Sequence, residues 1–244
     1  MKQNKYDEPA FFAAYRQMPR SVDGLEKAWE WSQLRGLLPD LAAKRVLDLG
    51  CGYGWYCRYA REVGAAAVIG VDLSERMLAR ARACTVDPGI VYRRAAMEEL
   101  DFDADEFDVI FSSLALHYVA RIEDLFEKSY RWLKAAGVLA FSVEHPMFTA
   151  RAEQNWCVGA QGERLHWPVD KYQQEGRRQT NWLAPDVIKY HRTVATYVNA
   201  LLDCGFRLTR LLEPAPPEEF VRRHPELCDE WRRPAFLVIS AEKS

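Results

Sequence analysis

Short apolar runs rich in β-branched residues alternate with longer segments of helical periodicity between positions 45 and 145. This alternation is typical of βαβ units, in which the strands form a parallel sheet. The candidate strands of this stretch cover 45–49, 67–72, 90–95, 107–112 and 138–144. Two later runs, 206–213 and 235–242, joined by a crossover, would complete a sheet of seven strands. The pattern therefore predicts an α/β fold.

The segments between the strands carry recognisable helix starts and stops. Ser74 is suited to cap the helix that follows it, because a serine oxygen accepts a bond from a free amide of the first turn. Gly64 and Gly137 stand where helices commonly end in a left-handed turn. A late helix is predicted over 186–203, ended by Gly205.

The 244 residues, 49% of them hydrophobic, are enough for one large domain. We predict a single domain over 1–244 in four parts. These are a helical N-terminal cap over 1–41, a core over 42–145, a lid or substrate insert over 146–190 and the last part of the sheet over 191–244. The insert holds three tryptophans but no sustained periodicity. Long inserts of this kind are commonly active-site lids.

The first candidate strand runs into VLDLGCGYGWY, residues 46–56, which holds three glycines at alternate positions. Each glycine inside an element costs roughly 0.5–1 kcal/mol relative to alanine, so three together indicate a use. A glycine turn that leads from a strand into a helix lets the backbone approach a ligand. A dinucleotide site would need a small residue at Trp55, so a dinucleotide is disfavoured.

A carboxylate ends the second candidate strand. Asp72 follows Gly54 by 18 residues, which suits an acid that binds both hydroxyls of a ribose. A carboxylate only accepts hydrogen bonds and a vicinal diol offers two donors, so the two groups are complementary. The alternative is an acid that merely stabilises a helix N-terminus.

The segment DLGCGYG, with Asp72 on the next strand, resembles the first two motifs of the class I S-adenosylmethionine-dependent methyltransferases. The resemblance is strong over about 40–145, and SSLALHYV and FSVEHP are similar to a bacterial small-molecule-type subgroup. It implies a Rossmann-like seven-stranded, mostly parallel sheet with helices on both faces and an antiparallel last strand. It also implies S-adenosylmethionine as the cofactor, bound by the core over 42–145.

The resemblance assigns roles to single positions. Asp48 would lie near the amino group of the cofactor, and Leu73 and Met97 would enclose the adenine. Ala96 stands where many relatives have an aspartate, so the backbone of Met97 and the side chain of Glu98 are expected to replace it. The implied cofactor residues are Asp48, Gly50, Gly52, Tyr53, Gly54, Asp72, Leu73, Met97, Glu98, Ser112, Leu114, Tyr15 and Arg20.

Two regions are expected at the methionine end of the cofactor. Residues 112–114 follow the fourth strand and would close that end with backbone carbonyls. Tyr15 and Arg20 come from the cap, and the Arg20 guanidinium is suited to pair with the cofactor carboxylate.

Methyl transfer from a sulfonium mainly requires that the acceptor is aligned and water is excluded. An oxygen nucleophile usually needs a general base, whereas an amine only has to arrive neutral. His145 follows the fifth strand and is the first candidate base, with Glu144 beside it to orient it; alternatively, His145 only turns the chain ahead of Pro146. His117 either faces the methyl group or starts the next helix, and His191 is assigned to the core face of the late helix.

The charges are balanced, with 33 Lys and Arg against 35 Asp and Glu. There is no basic stripe and no motif of the DNA methyltransferases, so no nucleic-acid partner is predicted. Neither a signal peptide nor an apolar run of membrane-spanning length is present, which predicts a cytoplasmic protein with no membrane partner. No metal site is predicted, and the six cysteines are interpreted as small buried residues.

The predicted reaction is methyl transfer from S-adenosylmethionine to O, N or C of a small-molecule acceptor. Methylation of a protein or nucleic acid, a non-catalytic cofactor-binding module and, most distantly, an oxidoreductase are the alternatives. The sequence fixes neither the acceptor atom nor the oligomeric state, for which a homodimer is one option.

Overall fold

The structure is a computed structural model that describes residues 3–244. Its strands are β1 (Arg45–Leu49), β2 (Ala67–Asp72), β3 (Ile90–Arg94), β4 (Phe107–Ser113), β5 (Leu133–Glu144), β6 (Cys157–Val158), β7 (Arg164–His166), β8 (Gly176–Trp182), β9 (Ala184–His191), β10 (Phe206–Leu212) and β11 (Phe236–Lys243). Its α-helices are α1 (Pro9–Tyr15), α2 (Pro19–Val22), α3 (Trp31–Arg35), α4 (Trp55–Glu62), α5 (Glu75–Ala83), α6 (Ile122–Trp132), α7 (Pro146–Thr149), α8 (Val194–Asp203) and α9 (Glu218–Arg223). Short 3₁₀ helices cover Lys5–Asp7, Gly24–Lys27, Met97–Glu99, Leu116–Tyr118 and Pro225–Arg232.

A seven-stranded sheet in the order β10-β11-β5-β4-β1-β2-β3 forms the centre of the molecule. Strands β1 to β5 pair in parallel, whereas β11 runs antiparallel to both β5 and β10. The predicted fold class is confirmed, including the antiparallel last strand. The strand order reverses between β1 and β4, and ligands bind in the crevice outside the carboxyl ends of strands at such a point.

The strand residues alternate between two apolar layers. Leu47 and Leu49 face a cluster that contains Phe126 of α6 and Tyr197 of α8. Val46 faces the opposite cluster, which includes residues of α4. Because both faces of the sheet are buried under helices, the central strands are predominantly apolar and their register is fixed.

The fifth strand is longer than predicted. Helix α6 ends at Trp132, and the chain enters β5 directly at Leu133, which pairs with Phe107 of β4. A register shift follows, and Gly137 lies within the strand instead of ending a helix. The prediction for Gly137 was therefore wrong: the left-handed residue here is Ala136, next to the irregularity. The prediction for Gly64, which adopts φ 95°, holds.

The predicted helix over 186–203 is a strand followed by a helix. Strand β9 occupies its first part, and α8 begins only after Thr193, whose side chain caps it. Alternate residues Val187, Lys189 and His191 are buried, which is the period of a strand. His191 is thus in the interior, as expected, but at the end of β9, where its Nδ1 lies 2.8 Å from the Thr149 hydroxyl.

The two peripheral regions also differ in detail from their predictions. The cap consists of short helices, and the first two residues of its predicted range, 1–2, lie outside the described residues. The insert forms two hairpins, β6-β7 and β8-β9.

The interpretation of the six cysteines as small buried residues was only partly right, because Cys51 and Cys57 are buried whereas Cys84 and Cys228 are exposed. A helix capable of spanning a bilayer is not found among residues 3–244.

Candidate cofactor and acceptor site

A cavity of about 780 Å³ opens beyond the carboxyl ends of β1, β2 and β4. Its floor includes the glycine turn, Asp72 and Leu114, and its walls include Tyr6 of the cap and Trp182 of the β8-β9 hairpin. A volume between ~300 and 1,000 Å³ is typical of small-ligand sites. The cavity lies at the switch point of the sheet, where a nucleoside site was predicted.

The three glycines of the first turn have left-handed backbones, with φ of 81° at Gly50, 52° at Gly52 and 73° at Gly54. A Cβ on Gly50 would lie 2.3 Å from the Cβ of Ala115, and a Cβ on Gly54 would lie 2.1 Å from the Tyr92 hydroxyl. Gly50 and Gly52 line the cavity, whereas Gly54 begins α4 away from it. The glycines therefore serve chain geometry and packing as well as ligand access.

Asp72 lies at the cavity with its carboxylate held by the glycine turn. One oxygen accepts a bond from the Gly52 amide at 2.9 Å, and the other accepts one from the Ser74 amide at 2.8 Å. Each oxygen has two lone pairs, so one remains on each for a ribose hydroxyl. Burial raises the pKa of Asp72 to about 6, although the backbone amides of Ser74, Gly52 and Leu73 oppose that shift.

The predicted adenine residues gather beside Asp72. Leu73, Ala96, Met97 and Glu98 all line the cavity. Ala96 is buried and offers no side-chain acceptor, while Met97 begins a short 3₁₀ helix. The enclosure of an adenine by Leu73 and Met97 remains a prediction that this placement allows.

Asp48 does not line this cavity. Its carboxylate is 1% exposed, faces α4 and accepts a bond from the Cys57 thiol at 3.2 Å. Its Oδ1 atom has no hydrogen-bond partner within residues 3–244. Burial raises the pKa of Asp48 to about 7. Asp48 was predicted to lie near the cofactor amino group, but the structure places its side chain toward α4 and away from the cavity surface, because of its register in β1.

The end of β4 contributes different atoms from those predicted. The Ser112 hydroxyl is buried and donates to the Leu49 carbonyl at 2.6 Å, so it joins β4 to β1 away from the cavity. Leu114 does line the cavity, with a left-handed φ of 52°. Ser113, within the predicted range 112–114, lies at the cavity, but with its side-chain hydroxyl 2.9 Å from the Tyr56 hydroxyl.

The cap residues Tyr15 and Arg20 reach the cavity, together with Tyr53 of the glycine turn. Tyr15 and Tyr53 meet edge to face at 5.8 Å between ring centres. Arg20 is already paired with Glu30, whose side chain is 1% exposed. This ion pair, which was not predicted, raises the pKa of Arg20 against the opposing effect of burial and fixes the guanidinium at the cavity wall.

His145 is not at the cavity, and the structure contradicts its role as a general base. It is 2% exposed and caps α7, with Nδ1 accepting from the Met147 amide at 3.0 Å. Nε2 therefore carries the proton and donates it to Glu213 at 2.9 Å. Burial lowers the pKa of His145 despite this carboxylate. Both ring nitrogens are occupied, so the chain-turning alternative describes this residue.

Glu144 and His117 do line the cavity. The Glu144 carboxylate accepts from Lys189 at 2.5 Å and from Gln154 at 3.2 Å. Lys189 is fully buried, and its charge lowers the pKa of Glu144 although burial opposes it. His117 is 2% exposed, and its Nδ1 accepts from the Glu144 amide at 3.4 Å. Burial lowers the pKa of His117 to about 4.

Trp182 of the tryptophan-bearing insert completes this half of the cavity together with Tyr6 and Tyr118, which sequence reasoning did not single out. The Tyr6 and Tyr118 hydroxyls lie 3.3 Å apart, and the Tyr6 ring packs against Trp182 at 6.5 Å between centres. No local pattern predicts these contacts, since they join the cap, a turn and a hairpin. We call this half the acceptor chamber, lined by Tyr6, His117, Tyr118, Glu144, Gln154 and Trp182.

Comparisons with known proteins agree with this site. A family model described as a methyltransferase domain matches residues 47–141. A solved S-adenosylmethionine-dependent methyltransferase from Mesorhizobium loti is 47% identical, with a TM-score of 0.85 over 90% of this chain and 100% of its own. A protein from Haemophilus influenzae is 34% identical over 98% of this chain and 96% of its own length. A malonyl-[acyl-carrier protein] O-methyltransferase from Enterobacter lignolyticus is 38% identical, but the match spans 45% of this chain and 42% of that protein.

The sheet, the glycine turn and the position of Asp72 at the cavity define a protein of the Rossmann-like, nucleoside-binding class. The chain belongs to the class I S-adenosylmethionine-dependent methyltransferases, and S-adenosylmethionine is its cofactor. The cavity fits this cofactor, because Asp72 keeps two lone pairs for a diol and the turn leaves room beside Gly50 and Gly52. Within residues 3–244, no group of three or more His, Cys, Asp or Glu side chains could hold a metal ion.

The raised pKa of Asp72 predicts a pH-dependent affinity for the cofactor. We propose that above about pH 6 the ionised carboxylate accepts from both ribose hydroxyls, whereas below that pH a proton competes. We therefore expect affinity to be constant above this pH and to fall by up to about tenfold per unit below it. Calorimetric titrations from pH 5 to 8 measure the dissociation constant of the cofactor at each pH. An Asp72→Asn variant should show a flat profile, and an equally steep profile in that variant would assign the effect to another group.

Proposed function

We propose that this methyltransferase acts on a small molecule held in the acceptor chamber. The observation that supports this is the closure of the chamber by two peripheral elements. The Trp182 ring contacts Phe11 and Tyr15 of the cap, with ring centres 5.6 and 6.3 Å apart, so the cap and the hairpin meet above the sheet edge. A concave chamber that aromatic side chains partly cover suits a compact acceptor better than a polymer surface.

Each part of the cavity has a distinct task in this proposal. When bound, S-adenosylmethionine supplies a methyl group activated by the sulfonium. Asp72 holds the ribose, and the turn at Gly50 and Gly52 accommodates the methionine part. The aromatic walls of the chamber exclude water and align the acceptor, and these two effects supply most of the catalysis in a displacement of this kind.

Methyl transfer to fractionated cell extract tests the proposal. The purified protein is incubated with methyl-labelled S-adenosylmethionine and either the fraction below about 1 kDa or the precipitated protein and RNA. We expect the label to appear in the low-mass fraction. Label retained in protein or RNA would contradict a small-molecule acceptor. Tight cofactor binding with no transfer to either fraction would favour a non-catalytic module.

The Arg20–Glu30 pair is part of the proposed cofactor site. One guanidinium nitrogen pairs with Glu30, which leaves other N–H groups of Arg20 at the cavity wall for the cofactor carboxylate. Replacing Arg20 alone would strand the buried Glu30 charge, so both are changed in Arg20→Met/Glu30→Gln. We expect the affinity for S-adenosylhomocysteine to fall about tenfold or more, as calorimetry would measure.

A cofactor fragment provides the control for this variant. 5′-Methylthioadenosine lacks the amino-acid portion, so its affinity should be the same for the wild type and the double variant. Equal losses for both ligands would show that the pair shapes the cavity in general, and would reject a specific contact with the carboxylate.

A further inference from the structure

The acceptor chamber presents a hydrogen-bond donor where a base was predicted. Since Nδ1 of His117 accepts a bond from the Glu144 amide, the proton of the neutral ring is on Nε2. Nε2 has no hydrogen-bond partner among residues 3–244, and the residue lines the cavity. With its pKa lowered to about 4, His117 is neutral at physiological pH. It can donate a hydrogen bond to an acceptor molecule and is a poor proton acceptor.

The other polar groups of the chamber are also unsuited to remove a proton. Glu144 is ionised but held by Lys189 and Gln154, and its lowered pKa makes it a weak base. The bonded hydroxyls of Tyr6 and Tyr118 have raised pKa values because of burial, so both remain protonated. An acceptor in this chamber must therefore be nucleophilic without losing a proton first, which disfavours alcohols.

Two buried cations, Lys189 and Arg192, lie close enough to His117 to act on its charge. Lys189 balances Glu144, but Arg192 is 5% exposed and forms no ion pair within the described residues. Its guanidinium donates to the carbonyls of Val119 and Ala120, at 2.6 and 2.8 Å, and both residues line the cavity. Its Nη1 atom is buried without a partner in the part of the chain that the structure describes. The guanidinium also packs over the rings of Tyr190 and Tyr197, at 5.8 and 5.9 Å from their centres, but no carboxylate pairs with it. A buried cation without a paired carboxylate is costly, and a bound anion would offset part of that cost.

We propose that the acceptor is a carboxylate on an apolar, aromatic or unsaturated body, and that the His117 Nε2–H and the Tyr6–Tyr118 hydroxyl pair orient it for methyl ester formation. This inference rests on the proposed function. A neutral amine also needs no base, but its product is a cation, which the Arg192 field and the His117 donor disfavour. The aromatic walls match the apolar body.

The reaction balances without a base. One carboxylate oxygen supplies a lone pair to form the O–CH3 bond while the C–S bond breaks and its electron pair stays on sulfur. The products are a neutral ester and a neutral thioether, and no proton is released. The chamber therefore needs only donors to position the second carboxylate oxygen.

Binding of three probes of similar shape to the protein saturated with S-adenosylhomocysteine tests this inference. The probes are phenylacetate, phenylacetamide and 2-phenylethylamine, measured by calorimetry at pH 7.5. S-adenosylhomocysteine is uncharged at sulfur, so any preference comes from the protein. We expect phenylacetate to bind about tenfold or more tightly than either other probe. His117→Phe should abolish that preference, and His117→Gln, which keeps an N–H donor, should retain most of it.

The possible results distinguish failure of the carboxylate proposal from failure of the proposed methyltransferase function on which it rests. Failure to bind S-adenosylhomocysteine would overturn the cofactor site itself. If S-adenosylhomocysteine binds but the three probes bind equally, or none binds, or the amine binds best, only the proposal of a carboxylate acceptor would be overturned. A preference unchanged in His117→Phe, in a variant whose melting temperature matches the wild type, would overturn the role of the His117 donor.

Discussion

Replacing Asp72 with alanine is expected to lower the affinity for S-adenosylmethionine about a hundredfold or more. The change removes the two charge-assisted bonds that we propose Asp72 makes to the ribose, each worth about 1.5–3 kcal/mol. It also leaves the Gly52 and Ser74 amides without their acceptor, so the glycine turn loses a contact that shapes the cavity. Calorimetric titration with S-adenosylmethionine and S-adenosylhomocysteine measures the effect.

An Asp87→Ala variant provides the matched control. Asp87 pairs with Arg61 on the surface and does not line the cavity, so its loss should leave cofactor affinity unchanged. Melting curves of both variants show whether the fold is intact. An Asp72→Ala protein that is folded and binds S-adenosylmethionine within about threefold of the wild type would refute the ribose contact.

Gly50→Ala is expected to destabilise the glycine turn although it adds only one methyl group. The new Cβ would meet the Ala115 Cβ at 2.3 Å, on a backbone with φ of 81°. Left-handed strain of roughly 1–2 kcal/mol and overpacking of roughly 1–3 kcal/mol together predict about 3 kcal/mol of lost stability. Cofactor affinity should fall as well, because both residues line the cavity. Urea unfolding and calorimetry measure the two effects.

Two further variants separate strain from collision. Gly162 has a φ of 82°, but a Cβ there would meet no atom within 4 Å, so Gly162→Ala should show the backbone strain alone. The double variant Gly50→Ala/Ala115→Gly removes the colliding methyl and should recover part of the stability that Gly50→Ala loses. No recovery in the double variant would mean that the turn itself, and not the contact with Ala115, excludes a side chain.

The meeting of the glycine turn and Asp72 at one cavity was predictable from the sequence because the geometry that joins them is local. The glycine turn joins β1 directly to α4, and the spacing to Asp72 is set by one helix and one strand. Parallel strands place their carboxyl ends at one edge, so residues that end successive strands meet there. Asp48 shows the limit of this reasoning, since one residue of register decides whether a strand side chain faces the cavity or a helix.

The acceptor half could not be predicted in the same way. The adjacent residues Glu144 and His145 looked like one functional unit, yet the chain turns between them. Glu144 points to the cavity and Lys189, and His145 points to Glu213. The ion-pair partner Lys189 is 45 positions away and lies on a segment predicted to be a helix. Its burial follows only from the pairing of β9 with β8.

The sequence by itself determined the class of fold, the parallel core of the sheet and a carboxylate suited to a ribose, whereas the cofactor followed from the resemblance to the methyltransferase family. The fold class, the parallel core and the position of the carboxylate depend on hydrophobic periodicity, glycine backbone freedom and short-range spacing. All three can be recognised from residues that are close together in the sequence. Only the tertiary structure decided the contents of the acceptor chamber. Tyr6, His117 and Trp182 come from a cap, a turn and a hairpin far apart in the chain. Burial and long-range charges also fix the protonation of His117, and neither can be read from neighbouring residues.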